Sequence, residues 1–511
     1  MKFAPHVLAL ATALVACSTS AVLAQTARFE DLGNLPFVAD QPTPETAQRL
    51  KDELLFQQAT QSYLWALPAI NMWAMKQGSE AKFGAGYNVL PVWKQRMDAK
   101  TLVTTPNSDV IYAMGYVDLA QDGPLVIEVP PKQQGILDDF WQRPMVGPTI
   151  DGHTFVGDVG FAGPDKGQGG KYLLLPPGYA GEPPAGYFVY RSRTNNVFVF
   201  WRAFFRDPNE LAEPVKLIEQ TRIYPLGKEG TAKPMQFPDA SGVPVNMLFP
   251  SDGTYFEMLS RFIDSEVLDP ADAGWRGMLA AIGIVKGQPF KPDAHTAAIL
   301  DNAAKTAFKT SKVLAFDIFP TQVAADRIYD DRQWTNPLLG NYSKAGRDVN
   351  LDWMWRDDLF LDLVARVNFF TNYYSVSPVM ARQTPGPGAA YLIGFRDSTG
   401  TLLAGDKNYR VHLPAGIPAA DFWSLAVYDA LTASGLDNGQ PFPSLASFDK
   451  PEVNADGSID LYLGPTAPPG KEKNWKRTVP GKGYFTIFRL YGPTEPFFNA
   501  TWKPSDIEPT P

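Results

Sequence analysis

The first polar cluster that could carry chemistry is the run Thr-Pro-Asn-Ser-Asp at residues 105–109. It places an amide, a hydroxyl and a carboxylate side by side, directly before an apolar run at 110–113. A carboxylate in such a place can act as a general base, and an amide can orient a ligand. Asn and Asp side chains at turns also bond to their own backbone. A structural role for Asn107 and Asp109 therefore stays open beside a ligand-facing one.

A second cluster begins with Asp-Asp-Phe-Trp-Gln at residues 138–142 and continues in the glycine-rich segment 163–172. Asp138 and Asp139 could supply a general base, but a carboxyl group with a pKa of about 4 is a weak base at neutral pH unless burial raises that pKa. Glycines permit backbone conformations in which successive amide groups point at an anion. We favour a plain connecting loop for residues 163–172, with anion binding as the alternative.

Motifs of the common enzyme classes are missing from the sequence. No Gly-x-Ser-x-Gly elbow occurs, and Asp165 stands where a phosphate-binding loop needs its first glycine. The run at 454–460 resembles the start of a calcium loop without its closing glutamate, so we interpret it as an Asp-Gly turn before a strand. The sequence predicts no metal site and no cofactor. The histidines beyond the first 24 residues lie in three separate segments, at His153, His295 and His412.

The first 24 residues have the pattern of a secretory signal. Lys2 precedes an apolar run of about 14 residues, and Ala24 stands at the expected cleavage position. Because spanning a bilayer takes roughly 20 residues, we expect removal of this run and no transmembrane span. Residues 14–17 also have the shape of a lipobox, so a lipid anchor at Cys17 is the alternative. We expect a periplasmic or secreted protein in the first case and an anchored lipoprotein in the second.

Composition narrows the class of protein further. The chain has 511 residues, of which 45% are hydrophobic and 20% charged, as is typical of globular proteins. Its formal charge of −8 repels phosphate backbones and anionic lipid surfaces, so nucleic-acid binding is not expected. Cys17 is the only cysteine, and cleavage after Ala24 would leave none for disulfides or thiol chemistry. The 46 prolines and 42 glycines indicate turn-rich β structure.

Hydrophobic periodicity predicts two β parts separated by a helical part. A helix capped by Thr43 or Thr46 has apolar residues at three- and four-residue spacing up to Ala66, and Pro68 is expected to end or kink it. Helical spacing returns at residues 255–262, 294–308 and 353–374. Short apolar runs among Pro, Gly and Asn residues predict strands at 110–113, 125–129, 172–175, 187–190 and 197–201. Later runs, several of which alternate inward and outward residues, predict strands at 409–413, 422–428, 459–463 and 485–491.

Several motifs of this sequence resemble those of known domain families. The run at 105–109 with Tyr112, then Asp139 and Trp141, and then the segment 163–179 are similar to domain of unknown function family 1254. The C-terminal part is similar to the usual companion of that family, family 1214, through motifs at 422–424, 428–429, 454–460, 474–475, 489–491 and 502–504. Together the matches span most of residues 45–510.

We therefore predict a mainly β chain with a helical segment. The resemblance implies the types of the two β domains and little about activity, since the family names record none. In this sequence Ser-Asp-Val stands at 108–110 where Asn-Asp-Thr is common, so a ligand contact of Ser108 or Val110 would change specificity. The predicted parts are a signal peptide at 1–24, a helix plus an immunoglobulin-like β-sandwich at 45–235, a helical segment at 250–375 and a jelly-roll-type β-sandwich at 378–503.

The predicted function is binding of a small organic or saccharide-like molecule near the junction of the two β domains, with hydrolysis left open. Trp and Tyr beside Asp, Asn and Arg are typical of ligand sites, which combine apolar walls with a few fixed polar groups. The competing hypothesis is a non-catalytic envelope module whose motifs stabilise turns and the contact between domains. Groups that converge on a cavity would favour the first hypothesis, and mutually paired groups without a cavity would favour the second.

Eight residues are the candidates for such a site. In an enzyme, Asp109 or Asp139 would act as the base, and Tyr112 or Tyr491 would donate a proton. A cationic side chain would stabilise an anion, either Lys171 or Arg489. The predicted catalytic residues are Asp109, Asp139 and Tyr112, and the predicted ligand-binding residues are Asn107, Trp141, Lys171, Arg489 and Tyr491.

Overall fold

The structure is a computed structural model that describes residues 28–316, 327–338, 362–381, 385–386 and 388–511. The predicted signal peptide and the lipobox cysteine lie outside the described residues, as does the segment 353–361 of one predicted helix. Within the described part of the chain, none of the helices combines the length and the apolar character needed to cross a bilayer.

The N-terminal β part contains two main sheets that pack face to face. The larger has the strand order β13-β5-β10-β11-β7-β8, and the smaller has the order β4-β12-β6-β9. The strands are β1 (Phe37–Val38), β2 (Gln41–Pro42), β3 (Thr101–Leu102), β4 (Ile111–Asp118), β5 (Leu125–Val129), β6 (Gln134–Asp139), β7 (Val146–Ile150), β8 (His153–Val156), β9 (Asp158–Gly160), β10 (Gly170–Leu175), β11 (Phe188–Arg191), β12 (Asn196–Ala203), β13 (Arg222–Pro225) and β14 (Val245–Asn246).

The C-terminal β part also packs two sheets on each other. Their strand orders are β15-β21-β17-β18 and β20-β19-β16-β22, and Leu392, Val411, Leu461 and Phe488 share one buried core between them. The strands are β15 (Ala389–Gly394), β16 (Asn408–Leu413), β17 (Ala419–Asp429), β18 (Ser444–Ala446), β19 (Ile459–Gly464), β20 (Trp475–Arg477), β21 (Tyr484–Pro493) and β22 (Glu508–Thr510).

Helices lie mainly before and between the two β parts. Each predicted strand coincides with an observed one to within a few residues, so the mainly β chain with a helical part is confirmed. The immunoglobulin-like and jelly-roll types stay predictions. The helices are α1 (Pro44–Phe83), α2 (Leu119–Asp122), α3 (Ala212–Ile218), α4 (Thr254–Ser265), α5 (Ala273–Ala281), α6 (Ala294–Phe316), α7 (Leu363–Phe370) and α8 (Glu495–Phe498).

Helix α1 corrects one expectation. It begins at the predicted cap, since the Thr43 hydroxyl accepts a hydrogen bond from the amide of Thr46, but it does not end at Pro68 and continues to Phe83. A proline inside a helix removes one backbone hydrogen bond and costs about 3 kcal/mol. Nearly every residue from 62 to 75 is buried. A helix that is buried on all sides is stabilised by tertiary packing, which outweighs the loss at Pro68.

The sheets next to the helical part bury both of their faces. On β12, Val197 and Val199 pack against the larger N-terminal sheet, whereas Phe198 and Phe200 face the helices. On β21, Phe488 faces the other C-terminal sheet, while alternate residues such as Ile487 face the helices. Strands buried on both faces appear as continuous apolar runs. The helix-facing sides of β12 and β21 thus belong to one shared core, which holds the site described below.

Lys312 on α6 gives the fold a predictable pH dependence. Its Nζ donates a hydrogen bond to Oδ1 of Asn372 at 3.0 Å. Burial lowers the pKa of Lys312 to about 7, although the charge of Asp429 opposes that shift. In the unfolded chain the pKa returns to about 10.4. Between these two values the unfolded chain binds more protons than the folded one, so the Lys312 contribution makes stability rise with pH.

We expect Lys312→Met to remove this rise and to increase the free energy of unfolding most at the lower end of the range. Urea denaturation from pH 6 to pH 9 measures it, with Lys305→Met as control, because Lys305 lies on the same helix with its side chain 55% exposed. Parallel pH profiles for the wild type and Lys312→Met would contradict the prediction.

Candidate functional site

A cavity lies where the two β parts and the helical part meet. Its empty space, including the part that is open to solvent, is about 630 Å³. The described residues that line it come from all three parts: Thr105, Asn107, Tyr112, Phe200, Arg202, Asn336, Pro337, Leu338, Phe369, Tyr373, Tyr374, Ser375, Met380, Tyr391, Ile393, Ile487 and Arg489.

Each β part presents an arginine beside a tyrosine to this cavity. In the register of β12 with β4, Arg202 lies directly opposite Tyr112. In the register of β21 with β15, Arg489 lies directly opposite Tyr391. Residues that are directly opposite on adjacent strands project from the same face with Cβ atoms about 5 Å apart. Two sheets from different domains therefore supply two similar Arg–Tyr pairs to one space.

The two arginines are buried, and no described residue forms an ion pair with either of them. Arg202 is 7% exposed and Arg489 is 4% exposed. Nε of Arg202 and Nη1 of Arg489 have no hydrogen-bond partner. None of the described lining residues is Asp, Glu or His. The guanidinium of Arg489 lies 5.6 Å from the centre of the Tyr428 ring, a cation–π distance. The cavity wall thus carries positive charge that no described wall residue neutralises.

The surrounding groups keep that charge in place. Burial acts to lower the pKa of both arginines, but the neighbouring tyrosines raise it more, so that both lie above their ordinary value. Burial raises the pKa of Tyr112 from its ordinary value, and raises those of Tyr374 and Tyr491 well above it. At neutral pH the arginines are therefore charged and the tyrosines keep their protons.

The segment 105–109 both lines the cavity and joins the domains. Asn107 Oδ1 accepts a hydrogen bond from the Asp109 amide at 2.8 Å, which is the backbone role that its position at a turn predicts. Its Nδ2 donates to the Tyr491 hydroxyl at 2.5 Å, and the Tyr428 hydroxyl donates to the Pro106 carbonyl at 2.8 Å. Asn107 also borders the cavity, so its structural role is shown and its ligand contact stays a prediction.

Asp109 lies behind this wall in an ion pair. Its Oδ1 accepts from Arg96 Nη2 at 3.0 Å and from the Ser444 hydroxyl at 2.7 Å. The Arg96 guanidinium also lies 3.9 Å from the centre of the Phe442 ring. These contacts tie the N-terminal domain to the C-terminal one. Asp109 is not among the described residues of the wall.

The two positions that depart from the family pattern also lie off the wall. Ser108 donates its hydroxyl to the Met97 carbonyl at 2.6 Å, and Val110 is fully buried. Neither residue lines the cavity. Their difference from the usual motif therefore affects packing around the segment 105–109 and not the described cavity wall.

Asp139 and Trp141 are placed in a different part of the molecule. Asp139 accepts hydrogen bonds from the amides of Trp141 and Arg143, at 2.8 and 3.0 Å, and forms an ion pair with the Arg143 side chain at 2.8 Å. Trp141 packs on the ring of Trp65 at 4.7 Å. The structure does not bring these two candidates to the cavity.

The neighbouring Asp138 supports the cavity from outside. Its Oδ2 accepts hydrogen bonds from the Ser375 hydroxyl at 2.8 Å and from the Val376 amide at 3.2 Å. Burial raises the pKa of Asp138 well above its ordinary value. Gln142 Oε1 accepts a further hydrogen bond, at 2.6 Å, from the Ser375 amide. These contacts hold the segment that contributes Tyr373, Tyr374 and Ser375 to the wall.

Lys171 lies on β10 of the larger N-terminal sheet, away from the cavity. Its side chain is 42% exposed and pairs with Glu128 at 3.1 Å, the residue directly opposite on β5. The adjacent glycine-rich loop closes on itself, because the amides of Gly160 and Gly169 donate to the Asp165 carboxylate, both at 2.9 Å. That carboxylate occupies the place that a bound anion would take, which supports the connecting-loop interpretation.

The acidic run at 454–460 forms the predicted turn. Gly457 has a φ of +83°, a conformation that favours glycine, and Asp456 accepts a hydrogen bond from the Ser458 amide at 3.0 Å. Asp460 lies 2.8 Å from Nδ1 of His412. Across the described ranges, no group of three or more His, Cys, Asp or Glu side chains is placed to hold a metal ion.

Sequence reasoning missed one of the two cavity arginines. Arg489 was a candidate, and Arg202 was not, because it follows the apolar run at 197–201 rather than a loop motif. Its position two residues after Phe200 places both side chains on one face of β12. A charged residue on the apolar face of a buried strand is the signal that could have identified it.

Family comparisons agree with the predicted domain pairing. Residues 87–225 match the model of DUF1254, a protein of unknown function, and residues 388–495 match the model of DUF1214, also a protein of unknown function. The predicted pairing of these two families is therefore confirmed. No curated protein matches the chain.

Two solved structures are similar to the chain. The VPA0106 protein from Vibrio parahaemolyticus is 18% identical, with a TM-score of 0.50, and the match covers 89% of this chain and 100% of that one. An uncharacterized protein from Burkholderia cenocepacia is 14% identical, with a TM-score of 0.38 over 91% of this chain and 96% of that one. The first likeness supports the overall fold and carries no statement about activity.

Proposed function

Because one chain carries both the DUF1254 and the DUF1214 domain, we propose that the two domains together form a binding site for a small organic molecule. The observation that carries this proposal is the cavity at their junction, to which both domains contribute strands. Such a site needs apolar walls and a few fixed polar groups. Phe200, Phe369 and Ile487 supply the first, while the arginines, the tyrosines and Asn107 supply the second.

The wall favours binding over hydrolysis. Neither of the candidate bases is available to a molecule in the cavity, because Asp109 is paired with Arg96 and Asp139 with Arg143. Tyr112 does line the cavity, but burial raises its pKa and makes it a weaker proton donor than an ordinary tyrosine. The apolar share of the wall also favours an organic molecule with an apolar body over a saccharide.

The proposal also includes the cellular location of the protein. The signal-like pattern of residues 1–24 supports a periplasmic or secreted protein, with anchoring through Cys17 as the alternative. A second candidate function, a structural module of the envelope, draws on the contacts of residues 105–109 with the C-terminal domain. Those contacts account for domain docking, and they leave the cavity and its charge unexplained.

We expect the protein purified from its native envelope to carry a bound molecule that a cavity-filling substitution removes. Native mass spectrometry of the wild type should show an added mass that denaturation releases. Ile487→Trp and Leu338→Trp place a larger side chain in the cavity and should abolish that mass. The matched control is Val453→Trp, because Val453 is 59% exposed and lies outside the cavity.

Thermal unfolding of each variant checks that the fold is kept. Retention of the same added mass by both folded cavity-filling variants would contradict the proposal, as would its loss from the surface control alone.

A further inference from the structure

We propose that the ligand is a small organic acid, whose oxyanion is held between Arg202 and Arg489 and whose apolar body packs against the rest of the wall. This inference rests on the proposed binding function and specifies the chemical class of the ligand. Carboxylate and phosphate share the recognising chemistry, and the test below separates them.

The first observation is the contrast between these arginines and the other buried ones. A buried charge is costly unless it is paired, so buried arginines normally have acidic neighbours. Arg96 pairs with Asp109, and Arg143 pairs with Asp139. Even Arg366, which forms no such pair with a described residue, has Asp272 and Asp139 acting on its charge.

At the cavity the pattern is different. Burial acts most strongly on the pKa of Arg202 and Arg489, and the main opposing groups are tyrosines rather than carboxylates; a tyrosine that keeps its proton at neutral pH leaves the arginine charge unneutralised. Arg202 Nε and Arg489 Nη1 are buried without a hydrogen-bond partner, as is Arg366 Nε, so the contrast lies in the nearby charges. A ligand oxyanion in the cavity would supply the negative charge that the described wall lacks.

The second observation is the geometry of the donors. The guanidinium group is planar and matches the two oxygens of a carboxylate or phosphate, which makes arginine the common choice for such groups. Arg202 approaches from the N-terminal domain and Arg489 from the C-terminal domain, each with a tyrosine directly opposite on the adjacent strand. Tyrosine hydroxyls that keep their protons can donate further hydrogen bonds to the same oxyanion.

The charge of this site does not change around neutral pH. Both arginines lie above their ordinary pKa, and burial raises the pKa of Tyr112 and Tyr374 above the ordinary value for tyrosine. Titration of these arginines and tyrosines should therefore not change the affinity for a carboxylic acid with a pKa of about 4 to 5 between pH 6 and pH 9. Lys312 is a nearby group that does titrate in this range, since its pKa is about 7 and it donates to Asn372, next to the wall residue Tyr373.

Matched pairs of ligands test the proposal on the purified wild type. We would titrate phenylpropionate against phenylpropionamide, and phenyl phosphate against phenol, by calorimetry at constant ionic strength. We expect the anion of at least one pair to bind about tenfold more tightly than its neutral partner, or better, since hydrogen bonds to charged groups are the stronger ones. The pair with the larger ratio identifies carboxylate or phosphate as the preferred group.

Variants then assign the effect to residues. Arg202→Met and Arg489→Met should each lower the ratio of anion to neutral affinity, and the double variant should bring the affinity for the anion to that for the neutral partner, without changing the latter. Arg222→Met is the control, because Arg222 lies on β13 of the larger N-terminal sheet, outside the cavity wall, with its side chain 49% exposed. Both cavity variants should also melt at a higher temperature than the wild type when no ligand is present, because an unpaired buried charge has been removed.

Equal affinities for the anion and its neutral partner in both pairs would overturn the inference and leave the proposed binding function standing. Absence of binding by all four compounds would overturn both. Neither result depends on a variant that has to fold.

Discussion

We expect Asp109→Ala to lower the free energy of unfolding by about 3 to 5 kcal/mol, the range for breaking one partner out of a buried ion pair. Asp109 is fully buried and Arg96 is 5% exposed. Without the carboxylate, the Arg96 guanidinium loses its ion pair and the Ser444 hydroxyl loses its acceptor. The loss is large because the charge of Arg96 stays buried when its partner is removed.

Denaturation in urea measures this effect, with Glu213→Ala as control. Glu213 pairs with Lys216 on the surface, where the two side chains are 87% and 68% exposed, and such pairs contribute about 0 to 1 kcal/mol. The double variant Arg96→Met with Asp109→Leu should regain much of the loss, because it removes both charges. A loss below about 1 kcal/mol for Asp109→Ala would contradict the role of this pair.

This prediction separates two interpretations of the segment 105–109. If the pair with Arg96 contributed as little as an exposed ion pair, the removal of Asp109 would leave the free energy of unfolding almost unchanged. If it docks the domains, stability falls. The structure favours docking, since Asp109 contacts Arg96 and Ser444 and does not line the cavity.

The second large effect is expected for Gly135→Ala. Gly135 on β6 lies directly opposite Trp201 on β12. A Cβ atom added there would lie 2.0 Å from Cε3 of Trp201 and 2.7 Å from the carbonyl oxygen of Phe200. Trp201 is fully buried, so neither the ring nor the strand has room to move. Overpacking of this kind costs about 1 to 3 kcal/mol and occasionally more, and we expect the upper end.

The same substitution should also weaken ligand binding, because any shift of Trp201 displaces the adjacent Arg202. Gly230→Ala is the control: nothing lies within 4 Å of the corresponding Cβ position. Circular dichroism in urea gives the stability, and calorimetry with the tighter-binding anion gives the affinity. An unchanged unfolding midpoint for Gly135→Ala would show that the sheet accommodates the methyl group and would contradict this prediction.

Local patterns in the sequence were sufficient to predict most of the elements. Most of the predicted strands are apolar runs with a Pro, Gly or Asn on at least one side, and the start of α1 is predicted from the cap at Thr43. The helix does not end at Pro68, because packing with distant segments stabilises it beyond the proline; a kink there stays a prediction. The local sequence around the proline does not reveal such tertiary contacts, so the continuation of the helix could not be predicted from it.

The candidate site was predictable only in part, for a similar reason. Asn107 and Tyr112 line the same cavity as Arg489, which lies in the other β part, so only the packing of the two β parts brings them together. Lys171 was misleading because its partner Glu128 lies on another strand. Asp139, by contrast, pairs with a residue four positions away, so a turn interaction could have been considered from the sequence.

A crystal structure of the protein grown with the tighter-binding anion of the matched pairs tests the central claim most directly. The account predicts electron density for one molecule in the cavity, with its oxyanion within hydrogen-bonding distance of both Arg202 and Arg489 and its ring against Phe200 or Phe369. Density for the anion at another place, with the two guanidinium groups paired to side chains of the protein itself, would contradict it.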